Sequence, residues 1–251
     1  MKRFVFLLSI LFCSVAFAHT IEWYVGDNLL STTTCESGDN ITPPTAPQKH
    51  GYHFTGWFPY KARIEYLEST GTQWIDTGYI PNTNTTVVLG FVNQSRGNWV
   101  FGQRTAAYTT DALGLLTSDG AFVLYTPGLE IRFDSSSIKY NKKYIVTANK
   151  NTFIVLSDIG EKLVEKAGTA TSLNAKYPLV LFGLVSGGSY LLANSGTKIY
   201  YFQIYDNDIL VRDFIPVLDK DGTPCMYDKV EKKFYYNAGT GNFIAGPIIN
   251  E

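Results

Sequence analysis

Histidine, cysteine and methionine are scarce: three, three and two among 251 residues. His19, His50, His53, Cys13, Cys35 and Cys225 show no Cys-x-x-Cys or His-x-x-x-His spacing, so no metal site or cofactor is expected. The net charge of −1 leaves no basic field for nucleic acid. A Gly-x-Ser-x-Gly elbow is missing and all the histidines fall in the first quarter, which removes the serine-hydrolase reading. No window keeps a helical apolar stripe for long, and Asp158 to Glu165 is too short to decide.

What is present points to export and to β-structure. Lys2 and Arg3 precede an apolar run from Phe4 to Phe12, and Ala16 and Ala18 flank Phe17, so residues 1–18 read as a signal peptide and the mature chain as starting at His19. The run is shorter than the ~20 residues that span a bilayer, and Leu11 and Phe12 are too bulky for a lipidation motif at Cys13. No membrane insertion is expected after cleavage, and the tail Ile244 to Glu251 carries neither a sorting motif nor an apolar segment. The exported chain is then secreted, periplasmic or held at the cell surface. Its two remaining thiols, Cys35 and Cys225, are either paired or separately buried.

Aromatic residues are abundant, with 17 Tyr and 16 Phe, most of them expected in the core or in cross-strand pairs. The clearest element is a hairpin: Ile199 to Tyr205 and Leu210 to Val217 flank the turn residues Asp206-Asn207-Asp208, and Tyr200, Phe202 and Ile204 mark a half-buried strand face. Further short strands are expected at Thr86 to Val92, Trp99 to Gly102, Ala121 to Tyr125, Lys143 to Ala148, Thr152 to Leu156 and Leu179 to Gly183. Turn compositions separate them, for example Asn149-Lys150-Asn151 and Ser186-Gly187-Gly188-Ser189. The fold class is all-β, a sandwich or barrel.

Residues 19–60 stand apart by composition. Strands are expected at Ile21 to Val25 and Thr32 to Cys35, then a proline-rich extended stretch, then an aromatic strand from Gly51 to Phe58. Gly38, Asp39, Pro44, Pro47, Gly51, Tyr52, Phe54, Gly56 and Trp57 resemble the pattern of the Listeria-Bacteroides repeat. That resemblance implies a small β-grasp-like module of a bacterial surface protein, acting as spacer or adhesion unit. The junction Pro59 to Ala62 is short.

Residues 61–251 carry a second resemblance. Glu65 to Tyr79, Phe101 to Arg104, Arg212 to Pro216 and Tyr235 to Phe243 resemble the opening, middle and close of a concanavalin A-like or laminin G-like domain. The resemblance implies a two-sheet antiparallel jelly-roll sandwich, a fold that hosts lectins, glycosidases and scaffolds alike. Cys35 and Cys225 both depart from the two patterns, which implies a Cys35-Cys225 clamp between the domains, worth roughly 4–5 kcal/mol before strain.

On such a fold a glycosidase places two carboxylates on one strand in Glu-x-Asp-x-Glu spacing, and no such run exists here. Asp206, Asp208, Asp219 and Asp221 could offer oxygens to calcium, but Asp and Asn are also default turn residues. Carbohydrate binding is the sharper expectation, through exposed rings with polar donors beside them: Trp99, Arg104, Tyr108, Asp111 and Tyr190, although Trp99 reads better as a core ring. The expected partner is a glycan or a cell-surface protein; the alternatives are a structural spacer and a cryptic glycosidase.

Overall fold

A computed structural model describes all residues except 1–17, 26–27, 51–53, 55, 95, 107–110, 119–120, 135–138 and 250–251. The expected signal peptide, apart from Ala18, and Tyr108 therefore lie outside the described residues. The chain divides into two compact units, Met1–Phe58 and Pro59–Glu251. This boundary falls two residues before the expected one because Tyr60 belongs to the larger unit. Its ring packs edge-on against Tyr227 at 5.6 Å, and the Lys61 amide donates to Leu218 O.

In the first unit β1 (His19–Val25) and β2 (Asn28–Cys35) form an antiparallel pair, with a bulge at Trp23/Tyr24. Trp57 meets Trp23 at 5.2 Å and Phe54 at 5.3 Å, and its indole N–H donates to Pro44 O. That aromatic trio is the core that so short a segment can build. The described part of Gly51 to Phe58 is irregular where a strand was expected, and Gly56 has φ +142°.

The larger unit opens with three two-residue strands, β3 (Ala62–Arg63), β4 (Leu67–Glu68) and β5 (Ile75–Asp76). There follow β6 (Thr85–Val92), β7 (Asn98–Arg104), β8 (Leu113–Ser118), β9 (Ala121–Thr126) and β10 (Leu129–Asp134). Next come β11 (Lys143–Asn149), β12 (Thr152–Ser157), β13 (Lys162–Ala167), β14 (Val180–Leu181), β15 (Gly183–Ser186) and β16 (Ser189–Leu192). The last are β17 (Lys198–Asp206), β18 (Ile209–Leu218), β19 (Pro224–Asp228), β20 (Lys233–Tyr235) and β21 (Ile244–Ala245).

These strands make the all-β, two-sheet sandwich that the alternating pattern predicts. One sheet runs β10-β9-β8-β7-β14-β5, with β15 and β16 attached at β7. The other runs β13-β12-β11-β6-β17-β18-β19-β20, with β3, β4 and β21 attached to it. Among the described residues every pairing is antiparallel except β7 with β15. The inner faces bury one core in which Phe101, Leu115 and Leu124 of the first sheet meet Leu89, Phe153, Phe202 and Phe214 of the second. Pro216 sits inside β18 without breaking it: on one side the β17 partners stop at Phe214 and those of β3 start at Val217, while on the other Pro216 stays opposite Met226 of β19, and its carbonyl accepts from the Ile64 amide.

Candidate functional site

The four described ligand candidates, Trp99, Arg104, Asp111 and Tyr190, do not converge on one point. Trp99 is 8% exposed and packs on the outer side of the first sheet with Val123, Tyr125 and Leu184. Gly102 and Gly114 are cross-strand partners beneath it, and a Cβ on Gly114 would stand 3.3 Å from the indole, so small residues let the ring lie flat on the sheet. The Arg104 guanidinium lies 5.7 Å from the same ring, and its Nε donates to Ser186 Oγ. Asp111 is a structural tie: its carbonyl accepts from Gln103 Nε2 and its carboxylate from the Asn174 amide.

Tyr190 is placed differently. β14 runs antiparallel to β7 and β15 parallel to it, so the chain reverses at Phe182, a buried residue at φ +61° whose ring packs on Phe243 at 4.8 Å. That reversal sends out the β15–β16 hairpin. In it Tyr190 pairs with Val185 and Val185 with Gln103, the set that alternates with the Leu184 and Trp99 face. Tyr190 therefore projects from the face opposite Trp99, and it remains 45% exposed.

The ring of Tyr190 stacks on Trp74, with centroids 4.0 Å apart and planes 25° from parallel. Trp74 is the residue that sequence reasoning missed as a ligand candidate, although it stands in the quoted stretch from Glu65 to Tyr79. Its backbone is fixed from both sides: Trp74 N donates to Asn237 Oδ1, and Ala238 N donates to Trp74 O. One residue earlier, the buried side chain of Gln73 accepts from the Thr70 amide and donates to Thr240 O, while Thr72 Oγ1 also donates to Thr240 O. The two stretches, Ser69 to Trp74 and Asn237 to Gly241, are thus stitched to each other, and they hold up the stack.

The charged groups serve the fold. Asp219 Oδ1 accepts from the amides of Asp221 and Thr223 and Oδ2 from Tyr236 OH, while Asp206 accepts from Asn82 and Asn207. Of the four carboxylates raised as calcium candidates, Asp206 and Asp219 are thus engaged by neighbouring donors, and Asp221 accepts from Lys220 Nζ. Fully buried Asp228 accepts from the amides of Asp213 and Val230, with Arg212 Nε at 3.6 Å, and Arg212 also reaches Glu231 at 2.6 Å. Tyr235 donates to Glu231, and burial, then that carboxylate, pushes its phenol up to about 12. Asp228 and Glu231 are clamped by one arginine instead of facing each other across an open cleft, which is not the arrangement of a glycosidase pair.

Cys35 and Cys225 are both free thiols. Cys225 is fully buried with Ile215, Val217 and Tyr227, and desolvation, then the nearby Asp219 charge, pushes its thiol up to about 12. The thiolate is the reactive form, and burial keeps Cys225 as the thiol near neutral pH. With a thiol-reactive chromophore, the native chain is expected to react at Cys35 and to release the second equivalent only after denaturation. Two equivalents reacting at one rate in the native state would contradict this placement, and none in the denatured, unreduced state would reveal a Cys35-Cys225 bond.

No family model matches the sequence, and neither does any curated protein. Among solved structures the fold is similar to mouse laminin α1 chain, domains LG4-5, at 14% identity and a TM-score of 0.42. The likeness covers 74% of this chain and 48% of that one, so the chain spans about half the length of that structure.

Proposed function

We propose that the chain is an exported, non-enzymatic binding or adhesion module that presents the Tyr190–Trp74 stack to a glycan. The observation that carries this reading is an aromatic pair whose outer ring is nearly half exposed while its inner ring is locked by backbone hydrogen bonds to Asn237 and Ala238. A rigid, exposed ring loses little entropy when a sugar face stacks on it, and such contacts need no pocket. The N-terminal segment of residues 1–18 supports export, and a partner on the cell surface fits that route. The buried carboxylates of Asp213 and Asp228 are engaged in structural ion pairs, which favours binding over hydrolysis.

The test is a glycan array probed with residues 19–251. Binding to at least one glycan class is expected, with a loss of tenfold or more in Tyr190→Ala and near-unchanged binding in Tyr190→Phe, which keeps the stacking face. Equal binding by Tyr190→Ala would remove the platform, and a blank array would remove the glycan reading. A second reading, a structural spacer, draws on the first unit: among the described residues β1 and β2 pair only with each other, which leaves both edges open to strand addition. Its mark is ordered oligomers in light scattering without ligand.

A further inference from the structure

The outer face of the second sheet carries a feature that the Tyr190 platform does not use. Across β12, β11, β6 and β17 the outward residues fall into rows. Leu156, Ile145, Gly90 and Tyr201 make one, Ile154, Thr147, Val88 and Gln203 the next, and Thr152, Asn149, Thr86 and Tyr205 the last. Polarity increases from row to row. Beyond the last row the β11–β12 turn and the segment before β6 border an open cleft of about 210 Å3, whose lining residues are all polar.

One wall of this cleft is Thr83, Asn84 and Thr86; the other comes from the turn and includes Asn149, Lys150 and Thr152. The turn is rigid, since Asn149 Oδ1 accepts from the amides of Asn151 and Thr152, while Asn151 accepts from the amides of Gly168 and Ala170. Thr83 is held by Leu173 through both its N–H and its carbonyl. The side chains of Asn84, Thr86, Lys150 and Thr152, in contrast, make no hydrogen bond or ion pair with any described residue. Amide, hydroxyl and ammonium groups thus converge on the cleft unused. Tyr205 is the cross-strand partner of Thr86.

We infer that this cleft is a second binding site and that it takes the carboxylate-bearing ring of an acidic saccharide, a uronic or similar sugar acid. The volume lies below the ~300–1,000 Å3 typical of sites for drug-sized ligands, which suits a single ring. Amides and hydroxyls match sugar hydroxyls, and Lys150 supplies the only charge in the lining, a point cation for a carboxylate. Asp206, at the end of β17, pairs with Thr85 across the strands and is engaged by Asn82 and Asn207. The sharper acidity of the ligand separates this site from the Tyr190 stack, where ring contact alone is invoked.

The experiment is a titration of 15N-labelled residues 19–251 with sodium glucuronate, with methyl glucoside and sodium sulfate as parallel probes. Glucuronate is expected to shift the amides of residues 83–86 and 149–152 saturably. Lys150→Gln, folded by the same spectrum, is expected to weaken binding at least fivefold, and Tyr190→Ala to leave it unchanged. Equal shifts with methyl glucoside would overturn the acidic specificity, and equal shifts with sulfate would reduce the cleft to a nonspecific anion site. No shift at these amides would overturn the site itself. Because Tyr190→Ala is carried along, failure here and failure of the aromatic platform are read separately.

Discussion

Gly239→Ala is expected to cost the larger unit about 3 kcal/mol or more, the upper range for forcing atoms into a packed position. A Cβ at residue 239 would stand 2.0 Å from the carbonyl oxygen of Thr72 and 3.0 Å from Trp74 Cδ1. The first obstacle is backbone, and that backbone is pinned by the Thr240 amide on Thr72 O and by the Gln73 bonds to Thr70 and Thr240. Relief therefore requires opening the stitch between the two ends of the unit, not turning a side chain. For a unit of this size the loss corresponds to a fall of roughly 6–12 °C in Tm, read by calorimetry. Ala238→Ser, an exposed position beside it, is expected to shift Tm by less than about 1 °C. A Gly239→Ala chain that melts with the wild type would show that the stitch yields, and would weaken the claim that Trp74 is rigidly held.

Asp228→Ala is the second large loss, about 3–5 kcal/mol in denaturant unfolding, the range for removing one partner of a buried charge cluster. Asp228 is fully buried and its Oδ1 is the acceptor for two backbone amides, Asp213 N at 2.8 Å and Val230 N at 3.0 Å. Truncation leaves both donors short of an acceptor and leaves Arg212 with Glu231 alone. Asp228→Asn keeps an oxygen for the two amides and removes only the charge facing Arg212, so a distinctly smaller loss is expected. Equal losses in the two variants would mean that the ion pair, not the amide contacts, carries the effect. Wild-type stability in Asp228→Ala would contradict the structural role given to the cluster and reopen its carboxylates to a functional reading.

Strands with alternating burial were legible in the sequence. Thr86 to Val92, Lys143 to Ala148, Thr152 to Leu156 and the closing hairpin all lie within one or two residues of β6, β11, β12, β17 and β18. Their inner residues are fully buried and their outer ones half-exposed, and the period-2 signal reads that contrast. β8 was missed because both of its faces are covered. Leu115 belongs to the main core, and Gly114 and Leu116 lie under or beside Trp99, so Leu113 to Leu116 shows no alternation of apolar and polar residues. β13 was left undecided because its Lys, Glu and Lys lie on a sheet edge, where exposed charges look the same as on a helix. Leu179 to Gly183 was read as one strand; the left-handed Phe182 splits it into β14 and β15, and sequence gives no notice of a bulky residue held there by the core.

The site was less legible than the fold for the same physical reason. Exposure of a ring is a property of what covers it, and the sheet alternation that hides Trp99 and presents Tyr190 depends on the reversal at Phe182. Trp74 carried no separate signal, since its role arises from a hairpin more than a hundred residues away in the chain.

The four tryptophans give the most direct test of the account, because each indole N–H is a separate NMR reporter. Trp23 and Trp57 are joined in the first unit, Trp99 is buried on the outer sheet face, and Trp74 alone lies beneath the exposed Tyr190 ring. The measurement is the indole region of a 15N spectrum of residues 19–251 as a glycan selected on the array is titrated to saturation. A saturable shift confined to the Trp74 resonance, abolished in Tyr190→Ala, is the predicted result. Saturation of the glycan with the Trp74 indole unmoved, or with Trp99 or the first-unit pair moving in its place, would contradict it.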